Sequence, residues 1–261
     1  MKYLLYCVFR TCGHRIPQPL LGVGGQPVVL LARNGLSAAV SRISRSDLAP
    51  DISRLRAYGN VIQSFHRDVT LIPMRYGCLF EEESEVVRRL EERNKEYEEL
   101  LKELDGCVEL GIRILPENGE GGTMNAERSS PCAVLGVPHI PNPGRAYLDD
   151  RKAHYARSER LAKENRAVIE RCRAAFAGLF VKCKAECPPS ALRTSPHRAP
   201  LVSMYFLVRR ERVESFRRTF RQIDSKESAR LLLSGPWPPY NFIESVDSKI
   251  VTRLGEQIEN E

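Results

Sequence analysis

Between positions 116 and 144 the sequence cannot carry a continuous helix or strand. It reads Glu117-Asn118-Gly119-Glu120-Gly121-Gly122 and then places Pro131, Pro138, Pro141 and Pro143 in quick succession. Glycine loses the most backbone freedom on ordering and proline has no N–H to donate, so the stretch reads as an exposed linker. It divides the 261 residues into two parts, each of roughly 100 residues and so long enough to bury a core. The expected organisation is an N-terminal domain over 1–116, a Gly/Pro-rich linker over 117–143, a C-terminal domain over 144–245 and a polar tail over 246–261.

In the first part, residues 2–9 (KYLLYCVF) form an apolar, aromatic run of strand length. Residues 27–33 read as the next strand. Asn34-Gly35 then gives the strongest short hairpin signal, because both positions tolerate φ > 0, and 36–43 return antiparallel. Pro50 and Asp51 open a helix whose inward stripe is expected to be Ile52, Leu55, Val61, Ile62 and Phe65. A short strand over 69–72 stops at Pro73. One helix is expected from 84 to 104, with Val86, Leu90, Tyr97, Leu101 and Leu104 facing in and Asp105-Gly106 as its C-cap. Residues 107–115 (CVELGIRIL) alternate apolar and polar, and are read as a half-buried strand closing the first domain.

The second part begins with a long helical pattern to about 179. Its first half is very polar and is expected to project from the body or to pack through few contacts. Its second half carries Leu161, Val168, Ile169, Cys172, Ala175, Phe176 and Leu179 on one side. A buried strand (201–208), a helix (211–224, with Val213, Phe216, Phe220 and Ile223 inward) and a last strand (229–233) follow. Both parts share β-α-β logic. The expected class is α+β: two small α/β domains, each ferredoxin-like or a variant of it, with mainly antiparallel sheets and helices on one face.

Composition excludes several classes. Apolar residues are 42% and charged residues 28%, which rules out disorder throughout, collagen and a membrane bundle. The longest apolar runs, such as 201–208, fall far short of the roughly 20 residues that span a bilayer. The N-terminal run reads as a strand and not a signal peptide, so a cytoplasmic protein is expected. The net charge of +7 is uneven: residues 1–122 hold 16 Lys+Arg against 17 Asp+Glu (−1), and residues 123–261 hold 24 against 16 (+8). A basic half suits nucleic acid, an anionic surface or an acidic partner. Arginines at amphipathic-helix spacing suit a solvated helix face equally, and that reading is preferred. The eight cysteines are read as reduced, with Cys7, Cys78, Cys107 and Cys172 at core-facing positions acting as small hydrophobes.

Chemistry-bearing motifs are sparse. No phosphate cradle of the G-x-x-x-x-G-K-[ST] kind is present, and Gly22-Val23-Gly24-Gly25 lacks the third glycine spacing of a nucleotide loop. His66 with Asp68 has the residue types of a base and its orienter, but a solvated helix end is the preferred reading, because a cation suits that end of the dipole. Cys172, Cys183, Cys187 and His197 do not form the paired sets of a structural zinc site. The carboxylates Glu81-Glu82-Glu83 and Glu91-Glu92 read as a solvated face. Residues 74–80 (MRYGCLF) echo the basic-aromatic-glycine strand of one RNA-binding module on a β-α-β-β-α-β scaffold, with aromatics wrongly spaced for two stacked bases. The expectation is no catalysis, no cofactor and no metal.

Two segments stand out instead. One is Pro73-Met74-Arg75-Tyr76-Gly77, at a strand end. The other is Gly235-Pro236-Trp237-Pro238-Pro239-Tyr240, which holds the sole Trp among three prolines and is expected to leave the sheet as a stiff extended arm. This arm reads either as a clasp, packing Trp237 and Tyr240 against the other domain, or as an aromatic recognition surface.

These segments carry a family resemblance. The strand Tyr3-Leu4-Leu5-Tyr6, the P-M-R-Y-G at 73–77 with Phe80, the G-C-V-E-L-G-I-R at 106–113, the Gly144-Arg145-A-Y-L at 144–148 and the closing S-G-P-W-P-P-Y-N-F at 234–242 resemble the GvpF/GvpL family of gas vesicle proteins, over about residues 2–243. The resemblance implies two domains, each related to a ferredoxin-like arrangement. It implies an accessory structural or assembly role, chaperone-like or as a minor shell component on the gas-facing side, and no catalysis. The implied partners are the small hydrophobic major shell protein and other gas vesicle accessory proteins, with no nucleic acid and no membrane. A monomer, cytoplasmic and associated with the gas vesicle shell, is expected. Tyr3, Tyr6, Met74 and Tyr76 are the first candidate contact surface. The basic long helix (Arg151, Lys152, Arg157, Arg160, Lys163) is a second, for acidic groups on a partner. The alternative from another class is an RNA-binding or regulatory module on a ferredoxin-like fold.

Overall fold

The computed structural model describes residues 1–11, 20–44, 51–115, 143–186, 202–225 and 230–243. The expected linker over 117–142 and the tail over 246–261 lie outside these. In the first unit, β1 (Lys2–Arg10), β2 (Val29–Arg33), β3 (Leu36–Ile43) and β4 (Leu71–Pro73) form an antiparallel sheet in the order β2-β3-β1-β4, with β5 (Leu79–Phe80) also paired to β1. The β2–β3 turn is the expected one, with Asn34 at φ 49° and Gly35 at φ 80°. Helix α1 (Ile52–His66) starts where Asp51 accepts a hydrogen bond from the Arg54 amide at 2.8 Å, which satisfies one of the free donors of the first turn.

Helices cover both faces of this sheet, because β1 is apolar on both. Leu4, Tyr6 and Phe9 pack with Tyr58, Val61, Ile62 and Phe65 of α1. Leu5 and Val8 pack with Val86, Leu90, Tyr97 and Leu101 of α2 (Glu83–Glu92) and α3 (Asn94–Glu103). The buried stripe of α1 therefore begins at Tyr58. Ile52 and Leu55, expected inside, are 78% and 46% exposed on the overhanging first turns. The single helix expected over 84–104 is two, joined at Arg93 (φ −110°, ψ 17°). The bend lets both halves reach one core.

The strand 107–115 requires a correction. Placed by sequence in the first domain, β6 (Cys107–Leu115) is a central strand of the second sheet, whose order is β7-β8-β6-β9. It pairs antiparallel with β8 (Val202–Arg209), from Cys107↔Arg209 to Ile114↔Val202, and with β9 (Arg230–Trp237); β7 (Lys182–Glu186) lies outside β8. With α4 (Pro143–Ala175) and α5 (Val213–Asp224), the second unit runs β6-α4-β7-β8-α5-β9, the ferredoxin-like pattern, with helices on one face. Val108, Leu110, Ile112 and Ile114 are all buried, the last three against Ile169, Cys172 and Phe176 of α4 and Phe216 of α5. Phe176 stacks on Phe216 at 4.0 Å between centroids. The opposite face of β6 meets the first unit through Cys107, beside Leu207. The strand is thus buried on both faces for most of its length, not half-buried.

Candidate functional site

The two singled-out segments meet at the seam between the units. The first is a structural knot. Pro73 and Met74 are buried, and the Met74 amide donates to the Tyr6 carbonyl at 2.8 Å. The Tyr58 hydroxyl lies 3.0 Å from each of the carbonyls of Leu5, Met74 and Arg75. Tyr76 packs edge-on against Tyr58 at 5.2 Å, and Gly77 takes φ 91° to turn the chain back toward β5. Arg75 alone of these residues is exposed. Tyr6, expected near a partner surface, is fully buried, with its hydroxyl accepting from the Val23 amide at 2.9 Å; it holds the fold. Tyr3 is half-buried, reaches Glu83 at 3.5 Å and lies under the Arg42 guanidinium at 5.9 Å. Because helices cover both faces of the first sheet, residues 74–80 form no open platform for stacked bases.

The closing segment stays in the sheet, contrary to the expected departure. β9 runs through Gly235-Pro236, a cis peptide, and Trp237 still pairs with Glu109 across a register shift. Gly235 holds φ 108°, and a Cβ there would sit 2.7 Å from the Glu109 carbonyl oxygen, so only glycine fits. Pro238 and Pro239 are buried. Beyond them Phe242 and Ile243 enter the first unit's core, with the Lys184 ammonium 5.5 Å above the Phe242 ring. The segment is a clasp at that end. At the other end Trp237 is 47% exposed and shares a surface depression with Tyr240. The clasp is therefore made by Phe242 and Ile243 and not by the expected Trp237 and Tyr240.

Sequence reasoning missed Glu109 and Asn241, and misread His66. Glu109 is buried at the centre of β6, and its carboxylate accepts from the Asn241 amide at 2.8 Å and from Asn241 Nδ2 at 2.6 Å. Burial pushes its pKa up, and the two Asn241 bonds and Lys184 oppose this. A lone carboxylate inside an apolar strand, together with the asparagine of the closing motif, was the available signal. Burial likewise raises the Tyr240 phenol, with the Cys7 thiol and Glu109 adding to the effect, so the closing segment reaches β1 electrostatically. Above Glu109 lies an open depression of about 270 Å³ whose lining includes Arg113, Tyr205, Trp237, Tyr240 and Asn241.

His66 is no solvated helix end. It is 3% exposed, and neither ring nitrogen makes a hydrogen bond. Its carbonyl accepts from the Arg210 guanidinium of the second unit. Burial first, and the Arg210 charge second, lower its pKa from 6.5 to about 4, while the Trp237 backbone works the other way. The Arg210 amide donates to the Gly106 carbonyl at 2.9 Å, locking the same seam. His14, His139, His197 and Cys187 lie outside the described residues. Gly144 and Arg145 fall in the first turn of α4. Among the described residues no group of three or more His, Cys, Asp or Glu could hold a metal ion, and no helix is long and apolar enough to cross a membrane.

Two units, the second ferredoxin-like, joined by buried aromatic and proline motifs and carrying an exposed tryptophan, define a two-unit α+β protein. The chain belongs to the family described as gas vesicle synthesis protein GvpL/GvpF, whose model matches residues 2–244. It is 27% identical over 251 residues to gas vesicle protein F of Streptomyces sp. (strain CB03234), covering 94% of this chain and 100% of that one. It is 26% identical over 259 residues to gas vesicle protein L of the same organism, covering 91% of each. Its fold is shared with the crystal structure of the gas vesicle protein GvpF from Anabaena sp. PCC7120, at a TM-score of 0.69 and 19% identity, covering 93% of this chain and 95% of that one. The GvpF crystal structure from Microcystis aeruginosa gives a TM-score of 0.66 at 17% identity, covering 93% and 98%. The chain is thus an accessory protein of the gas vesicle system.

Proposed function

We propose that this chain assists gas vesicle formation by binding the small apolar shell protein and keeping it soluble until it enters the wall. The observation that carries the reading is the family match across residues 2–244. Physical chemistry supplies the mechanism. A small apolar shell subunit exposes strand edges and apolar faces that aggregate unless covered. Trp237, with Tyr240 in the same depression, offers exposed apolar area on a frame fixed by the Gly235 bulge and the Glu109–Asn241 bonds. Aromatic anchors on rigid backbone lose little freedom on binding. The role needs no reacting group.

Co-expression of the tagged chain with the shell protein, followed by pull-down from the soluble fraction, tests the reading. Soluble shell protein is expected to co-purify, and Trp237→Ala is expected to keep the fold and lose most of it. Shell protein that stays insoluble and uncaptured beside a folded wild-type chain would refute the reading.

A further inference from the structure

Helix α4 is the longest element among the described residues. Its 33 residues span about 50 Å. Among its described side chains, those that reach the core are Val168, Ile169, Cys172 and Phe176, in its C-terminal half. From 151 to 163, every residue whose exposure is described (Arg151, Lys152, Tyr155, Ala156, Glu159, Arg160, Lys163) is exposed. Isolated helices of this length are marginal in water, so a partner along this half would stabilise it.

The sequence of the projecting half says which partner. Leu148, Tyr155, Ala162, Ile169 and Phe176 recur every seven residues, one apolar line along a helix. The core uses the lower end of that line, at Ile169 and Phe176, and leaves Tyr155 60% exposed. Around Tyr155 the charges are arranged with opposite signs. Arg151 lies four residues before it and Glu159 four after. Positions four away share the Tyr155 face.

We infer that the projecting half of α4 pairs antiparallel with the same helix of a second copy, about a two-fold axis at Tyr155. In that register Arg151 of one copy stands opposite Glu159 of the other, in a self-complementary isologous contact. Parallel pairing would set Arg151 against Arg151 and Glu159 against Glu159, so the charges specify the orientation. Tyr155 is held for this role by Arg151, whose guanidinium lies 5.8 Å from the ring centroid and 3.3 Å from the hydroxyl. The fourteen residues from Tyr155 to Ile169 set each body about 20 Å from the axis, so the bodies do not collide. The pairing departs from the monomer expected from sequence, and the oligomeric state decides between them.

Sedimentation equilibrium of the full chain from about 1 to 200 μM tests it, over the range where a contact of this modest size associates. A concentration-dependent dimer is expected. Arg151→Glu alone and Glu159→Arg alone are each expected to weaken it about tenfold, since each puts like charges opposite at two symmetric places. The double variant restores it, because the two sites face each other only across the axis. They are two turns apart on one helix, so recovery has no intramolecular explanation. A chain that stays monomeric throughout, or a double variant as weak as either single one, overturns the inference.

Discussion

The buried His66 makes stability fall with pH in a defined window. In the unfolded chain the imidazole titrates near 6.5; in the folded chain burial and the facing Arg210 charge hold it at about 4. Between these values the unfolded state binds a proton that the folded state refuses. Stability is therefore full above pH 6.5, declines as the pH falls through the window, and stops declining on this account below about 4. The interval at ~1.4 kcal/mol per pH unit gives a loss of about 3 kcal/mol. The ring is 3% exposed with no hydrogen bond to either nitrogen, so solvent screening does not erode the figure. Urea unfolding of the wild type and of His66→Leu at half-unit steps from pH 7.5 to 4 measures it. Carboxylates contribute a slope common to both chains, and the difference between the curves isolates the histidine. The wild type is expected to lose about 3 kcal/mol more than the variant across the window. Parallel curves would refute the reasoning and mean that His66 takes up its proton in the folded state.

Two further changes probe the backbone of the seam. Gly235→Ala meets both a left-handed φ of 108° and a carbonyl oxygen 2.7 Å from the new Cβ, and is expected to cost about 3 kcal/mol, read as a melting temperature lower by about 6–12 °C; an unchanged Tm would show that the bulge relaxes freely. Tyr58→Phe removes the hydroxyl that sits 3.0 Å from three carbonyls and is expected to cost about 1–2 kcal/mol in chemical denaturation, with a neutral result indicating that those carbonyls find other donors.

What could be read from sequence was local. The Asn34-Gly35 turn, the Asp51 cap and the inward set Val213, Phe216, Phe220 and Ile223 depend on residues within a few positions of one another, and the structure has them as expected. What failed was non-local. Alternation in 107–115 shows which side chains share a face but not which sheet the strand joins, and its partner residues begin only at Val202. His66 reads as an exposed helix end until the second unit covers it with Arg210 and β9. Tyr6 carries a polar tip that suits a surface, and only the fold reveals the Val23 amide waiting for it. The closing Gly-Pro-Trp was recognisable as unusual, yet its proline content argued for leaving a sheet that the Gly235 bulge allows it to stay in.

The placement of β6 also sets an order of events during synthesis. The first unit's own strands and helices end at Glu103, so its sheet can form as soon as that much chain has left the ribosome, and Phe242 and Ile243 complete its core only later. β6 emerges next, and its partner strands β8 and β9 are not made until roughly ninety residues later, on the order of ten seconds at ribosomal speed. Through that wait an apolar strand with two unpaired edges hangs from a folded body. The nascent chain is most prone to associate with a neighbour then, and a ribosome that pauses beyond residue 115 lengthens the exposure.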